Sequence, residues 1–449
     1  MIDPKSSPIG KMILPIQRFI QKEKSGGLVL GISVILALFL ANSPWHTKYF
    51  EILQYKFGFL FENKSYIEMS IHQWINDGLM AIFFFVVGLE LKREIVAGEL
   101  SKPRKALLPI IAALGGMLFP ALIYFSLNSA GEVSNGWGIP MATDIAFALG
   151  ILYLLGNRIP LSLKVFLTAV AIVDDLGAVL VIAFFYTSDI SMLNLGVGLL
   201  FLLVMFIGNR MGIRNILFYA LLGIGGVWTL FLLSGVHATI AAVMAAFMIP
   251  ADVKINEKVF IARIKKHLTN FKKADPNSLP TLTNEQLYIL ERLALDNKKA
   301  MPPLQRLESA MHPFVTFIVL PIFALANAGV SVLDINLNML FETNVAIGII
   351  LGLLVGKLIG IVGLSWLVVK LKITTFPKGM NFKNLLGIGL LTSIGFTMSL
   401  FITQLAFIDE AYQIQAKIGI FIASIIGGVI GYFILKKENA NSENVNMEA

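Results

Sequence analysis

Cysteine is absent from the 449 residues, which removes disulfide frameworks and thiolate metal sites. Charge is scarce too. Asp, Glu, Lys and Arg make up 14% of the chain, against about 25% in a soluble domain. No Walker loop, H-E-x-x-H or G-x-S-x-G pattern occurs, so nothing in this chain supports an ATP-driven pump or a hydrolase built on those motifs. No A-x-A cleavage pattern precedes Asn42, so the first apolar run, after the basic stretch Lys11 to Lys24, reads as a retained signal-anchor helix. What remains is apolar. Hydrophobic residues are 56% of the chain, in runs recurring from Gly26 to Leu435. That is more than one core can hold, and lipid is the natural solvent.

A bilayer core about 30 Å thick needs about 20 helical residues. Twelve segments could serve: 26–42, 73–95, 106–127, 137–155, 161–186, 192–209, 215–233, 235–250, 312–330, 343–369, 384–406 and 411–435. The eighth is short, a tilted, thinned or partly buried span. The runs are continuously apolar rather than alternating, which excludes barrel strands. The fold class is therefore all-α integral membrane, with about twelve transmembrane helices.

Basic residues gather on the cytoplasmic side of membrane proteins. With the N-terminus inside, 31 of the 36 Lys and Arg fall in inside segments, three (Lys48, Lys56, Lys64) outside, and two (Lys357, Lys417) within spans. This asymmetry predicts both termini in the cytoplasm. It also explains the net charge of +8 as a topology signal rather than a nucleic-acid footprint. The domain reading follows: a cytoplasmic N-terminal segment 1–25, a transmembrane domain 26–437 with a polar, basic cytoplasmic loop 251–307, and a disordered tail 438–449. The outer segment 43–72 is aromatic and mixed, suited to the interface.

Ionisable groups within a bilayer cost about 2.5–3.5 kcal/mol each on insertion scales. Four stand out: Asp144, Asp174, Asp175 and Lys357. Positions 171, 174, 175 and 178 share one helical face reading Ala, Asp, Asp, Ala. That face suits a packed interior or an aqueous funnel. Two adjacent carboxylates cannot both ionise freely in a low dielectric, so the pair can hold protons or a small cation. Asp144 follows Gly138, Pro140 and Thr143, the mark of an interrupted helix, tolerated at membrane depth only against protein or a cavity. Thr392 to Thr397 form a second small-polar interruption. Gly348, Gly352, Gly356 and Gly360 recur every four residues beside Lys357, a ridge for close helix approach. The lysine then points inward, and Asp174 or Asp175 is the expected partner. Lys417, within about two turns of a span end, reads as a snorkelling side chain. Glu90, Lys92, Arg93 and Glu94 end the second span and read as a solvated helix end. Glu308 and His312 open the ninth, and His237 begins the eighth on the outer side, where a histidine can titrate near neutrality.

Several of these stretches, in this order, resemble the NhaA-type sodium/proton antiporter family: Gly88-Leu89-Glu90 through Arg93-Glu94, Ala142-Thr143-Asp144-Ile145-Ala146-Phe147-Ala148, Val170 to Gly177 around Asp174-Asp175, His312-Pro313 followed by Ala324 to Ser331, and Ile394 to Met398. The resemblance implies inverted repeats with two broken helices crossing mid-membrane, a family property and not a deduction from these residues. It implies that Asp174 and Asp175 bind the ion and the proton, with Asp175 the firmer sodium ligand, and that Lys357 is the counter-charge, paired with Asp174 when sodium is absent. Thr143 and Asp144 would stand at the crossing of the broken helices. Glu90, Arg93, Glu94, His237 and Glu308 fall where the family's pH response lies. Spans three to five and ten to twelve would form the core, and the rest the dimer-facing half. The implied activity is electrogenic, pH-regulated extrusion of sodium or lithium against protons, by a homodimer in the bacterial inner membrane, with no cofactor. The 251–307 loop is longer than the family's usual connection. An ion channel, an intramembrane aspartyl protease and a proton-coupled carrier of an organic solute are the rival classes. The protease would need a Gly-x-Gly-Asp segment, and none surrounds Asp144 or Asp174.

Overall fold

A computed structural model describes residues 25–61, 64–156, 159–187, 190–274, 281–331 and 343–447. The N-terminal segment up to residue 24, Arg158 and residues 448–449 of the tail lie outside the described residues.

With no water to satisfy it, backbone in a bilayer must bond to itself, and here it does so as helices. They are α1 (Ser25–Ala41), α2 (His46–Gln54), α3 (71–97), α4 (Pro103–Leu127), α5 (Ile145–Leu154), α6 (Leu161–Phe185), α7 (Met192–Arg210), α8 (Ile216–Ser234) and α9 (Ala238–Met248). After them come α10 (Glu257–Lys273), α11 (Asn284–Ala300), α12 (Pro303–Asn327), α13 (Val345–Lys370), α14 (Phe382–Leu391), α15 (Phe396–Ala406) and α16 (Glu410–Met447).

Among the described residues eight helices are long and apolar enough to cross a membrane, or up to ten if the bent pairs α1–α2 and α14–α15 each count as one span. The expectation of twelve differs for two physical reasons. Helix α3 carries Asp77, Glu90, Lys92, Arg93 and Glu94, too many charges for a helix that faces lipid along its length. Helix α9 has 11 residues. Helices nevertheless stand at all twelve expected positions. Phe39, Leu118, Phe184, Leu193, Ile224 and Ile425 each expose more than half of their surface, apolar area a water-soluble monomer rarely presents. The chain is an all-α, multi-pass integral membrane protein.

Three features add to the sequence reading. Segment 43–72 contains an antiparallel hairpin, β1 (Lys56–Phe61) with β2 (Lys64–Ser70), and α2 turns 110° away from α1. Within 251–307, α10 and α11 pack on each other, clasped where Asp296 accepts from Arg263 (2.9 Å) and meets His267 (3.1 Å). Helix α16 runs on to Met447, into the stretch whose composition reads as a disordered tail.

The main core joins α1, α3 to α6, α9 and α12 to α16. A smaller one joins α3, α7, α8, α9 and the start of α12. Helices α3 and α9 belong to both and pack on each other, with Gly88 against Val243 and Ala246. The glycine ridge of α13 packs on α4: Gly352 and Gly356 meet Pro120, and a Cβ on Gly115 or Gly360 would collide with the other's backbone. This backbone-to-backbone crossing sets Lys357 deep between the helices.

Candidate functional site

Two interrupted helices meet at the centre of the main core. A 3-10 stretch, Glu132–Met141, gives way to three extended residues before α5. Helix α14 stops at Leu391, and α15 restarts at Phe396 after a 47° bend. The orphaned backbone groups are shared across the break. Asp144 N donates to Ile394 O (2.6 Å), and Thr143 Oγ1 donates to Thr392 O (3.0 Å).

The Asp144 carboxylate caps both restarting helices. Oδ1 accepts from Phe147 N in the first turn of α5 (3.0 Å). Oδ2 accepts from Thr397 N (3.0 Å) and Thr397 Oγ1 (2.5 Å) in the first turn of α15. Each helix start carries roughly half a positive charge, so one carboxylate here balances two dipole ends.

Beside the crossing lies the ion pair. Lys357 Nζ donates to Asp174 Oδ2 at 2.6 Å and to Thr143 Oγ1 at 2.9 Å. Lys357 is 0% and Asp174 2% exposed, so the pair is dry, and a charge left alone there would be strongly destabilising. Lys357 sits between two π-helical turns, Gly352–Gly356 and Leu358–Gly363, irregularities that recur at functional sites. Asp175, on the next position of α6, is 1% exposed. Asp174 Oδ1 and Asp175 Oδ1 accept no hydrogen bond from the protein among the described residues. Their lone pairs are free for a proton or a hard cation. Among the described residues no three His, Cys, Asp or Glu side chains gather as a preformed metal site, so further oxygen ligands for a cation would have to be hydroxyls, carbonyls or water. A cavity of about 570 Å³, lined in part by Arg93, Glu94, Lys102, Lys105, Lys164 and Thr168, opens from one end of the molecule. Thr168 precedes Asp175 by about two helical turns.

Asp144, Thr143, Asp174, Asp175 and Lys357, singled out from sequence, thus fall in one connected site. Of the five residues that the resemblance links to a pH response, all but His237 form a second cluster. Arg93 donates to Glu308 (2.5 Å) and Glu94 (3.0 Å) and lies 3.8 Å from Glu90. The reading of 90–94 as a merely solvated helix end is thereby corrected: long-range contact with α12 buries most of Glu308, whose side chain is 11% exposed. His237 stands apart, with Nε2 2.8 Å from Tyr186 O. Lys417 is half-buried, and its Nζ donates to the Gly329 carbonyl at 3.4 Å.

The sequence reading missed two polar arrangements. Lys92 donates to Phe247 O (2.7 Å) and Ile249 O (2.5 Å), capping the C-terminus of α9, where a cation complements the dipole. Asn327, fully buried, donates to Asn76 Oδ1 (2.9 Å) and lies 3.0 Å from His72 Nε2, tying the end of α12 to the start of α3.

Residues 17–435 match the family described as Na+/H+ antiporter 1. The chain belongs to this family. The Na+/H+ antiporter 1 family is one of transporters, not enzymes. A Na(+)/H(+) antiporter NhaA from Acidithiobacillus ferrooxidans is 49% identical over 428 residues, covering 94% of this chain and 96% of that one. Another, from Oleidesulfovibrio alaskensis, is 48% identical over 430 residues, covering 96% and 95%. A solved structure, the sodium proton antiporter MjNhaP1 from Methanocaldococcus jannaschii at pH 8, aligns with a TM-score of 0.47 at 13% identity over 95% of this chain and 98% of that chain.

Proposed function

We propose that this protein exchanges sodium for protons across a bacterial inner membrane, at a site made by Asp174 and Asp175 with Lys357 as counter-charge. The observation that carries the reading is the dry Lys357–Asp174 pair beside a second buried carboxylate with a free oxygen. Sodium, a hard cation that prefers oxygen ligands, reaches Asp175 from the cytoplasmic side through the cavity between the end of α3 and the start of α6. Its charge competes with Lys357 for Asp174 and with protons for both carboxylates. Cation in means proton out, and the two fluxes are coupled because they share the same oxygens. The site then faces the other side, the cation leaves, protons return, and Lys357 recovers Asp174.

Lithium, of the same charge and ligand preference, is a second substrate. Return of more than one proton per cation makes the cycle electrogenic, driven by about 2.3 kcal/mol per charge per 100 mV. Asp144 and Thr143 hold the broken helices in place. The Glu90–Arg93–Glu94–Glu308 cluster at the cavity mouth, with His237 opposite, sets the pH response. The asymmetry of basic residues supports cytoplasmic termini, and the family resemblance supports a homodimer.

The decisive experiment is sodium-dependent collapse of a pH gradient in everted vesicles. Asp175→Asn should abolish it. Exchange retained in that variant would remove Asp175 from its role, and sodium flux with no proton movement would point to a channel.

A further inference from the structure

The α10–α11 hairpin lies outside the transport site, and its surface has a composition of its own. Helix α10 buries no residue fully. Phe260, Ile264, His267 and Phe271 are half-buried on the side facing α11. A quarter-turn away, Ile261 and Leu268 are 45% and 52% exposed. Lys258, Lys265 and Lys272 run alongside them, all exposed and each seven residues from the next, so they form one straight basic row.

The partner helix continues this face. Asp296 of α11, bound to Arg263 and His267 of α10, fixes the mutual rotation of the two antiparallel helices. At 100° per residue it puts Leu287 and Leu290, 48% and 38% exposed, on the same side as Ile261 and Leu268. Tyr288, Arg292, Leu295 and Lys299 turn to the opposite side. One face of the hairpin is therefore four exposed aliphatic side chains flanked by a lysine row. Its root is held close to the ends of spans: Leu304 N donates to Pro250 O (3.1 Å), and Lys254 N to Lys299 O (3.0 Å).

We propose that this face docks on the cytoplasmic surface of the membrane, with the aliphatic side chains among the outer acyl carbons and the lysine row on anionic phospholipid headgroups. An amphipathic helix with basic flanks lies in the interface in this way. The occupant is a lipid surface and not an acidic protein because the aliphatic strip continues across both helices while positive charge lines its margin. Docking would hold the cytoplasmic ends of α9 and α12 against the leaflet.

The chain lacks cysteine, so Leu268→Cys gives a single spin-label site in the full-length protein, and Leu295→Cys serves as an opposite-face control. In vesicles of phosphatidylcholine with phosphatidylglycerol, the label at 268 should be accessible to oxygen and shielded from a water-soluble nickel relaxant, while the label at 295 stays aqueous. Lys258→Gln with Lys265→Gln and Lys272→Gln should shift the docking equilibrium on the order of a hundredfold toward water, as should pure phosphatidylcholine. Equal water access at 268 and 295 in anionic vesicles would overturn the proposal, leaving the face solvated or reserved for a protein. Shielding that persists unchanged in the triple variant would overturn the role of the lysine row.

Discussion

Lys357 and Asp174 touch across 2.6 Å with neither side chain reaching solvent. Breaking such a pair from one side leaves a bare charge in a dry interior, which typically costs about 3–5 kcal/mol. Lys357→Met should therefore lower stability by about that much, and adding Asp174→Asn should recover most of it. Denaturant unfolding of the purified variants in detergent gives the double-mutant cycle. Additive losses would mean that the two groups are not coupled.

Asp144 supports two helix starts with one carboxylate. Hydrogen bonds to charged groups contribute about 1.5–3 kcal/mol each, and the carboxylate accepts from Phe147 N, Thr397 N and Thr397 Oγ1. Asp144→Ala should destabilise the protein by several such increments and abolish exchange. Asp144→Asn, which keeps one acceptor but not the charge, should be milder on both counts. Thr397→Val isolates the hydroxyl bond and should reduce stability by about 1.5–3 kcal/mol. Variants as stable as the parent would show that the crossing does not depend on this carboxylate.

The Arg93–Glu308 bridge joins α3 to α12 with Arg93 still 34% exposed. Because Arg93 keeps contact with water and also lies beside Glu90 and Glu94, neutralising Glu308 should cost little, about 0–1 kcal/mol. Glu308→Gln should leave the unfolding midpoint nearly unchanged and move the pH at which exchange is half-maximal, with the maximal rate retained. Exchange rates measured across pH values in everted vesicles test this. A lowered maximal rate at unaltered midpoint pH would assign the cluster to structure or conduction instead.

Outside the membrane, Asp296 is held below the usual carboxylate value of 3.8, first by its hydrogen bond with His267, then, against its burial, by Arg263 and Lys299. A depressed folded pKa contributes stability that is fully present above the unfolded value and disappears as pH falls through the folded one. Asp296→Asn should therefore raise amide hydrogen exchange in α10 and α11 at neutral pH. The difference from the parent should vanish in acid below the depressed pKa. A difference independent of pH would mean that packing, not charge, accounts for the clasp.

Much of this architecture is legible in the chain because bilayer physics acts locally. Each span shows as an apolar run, and each intramembrane charge is exceptional enough to mark its own site. The face formed by Ala171, Asp174, Asp175 and Ala178 is indeed buried throughout, and the glycine period beside Lys357 does pack on a neighbouring helix. What could not be read depends on contacts between distant segments. Lys92 looks like one more basic residue at a helix end until α9 is seen to end within its reach. Glu94 and Glu308 are 214 residues apart in sequence, yet both contact Arg93. His72, Asn76 and Asn327 are unremarkable singly and form a set only when α3 and α12 pack together. The β-hairpin escaped notice because its mixed aromatic and polar residues fit an interfacial segment of any conformation.

The broken helices share their loose ends, Asp144 N with Ile394 O and Thr143 Oγ1 with Thr392 O. Neither can travel alone without stranding amides and carbonyls in an environment that offers no replacement. On the exchange proposed above, a displacement that opened the ion site first to one compartment and then to the other would carry the knot as a single piece.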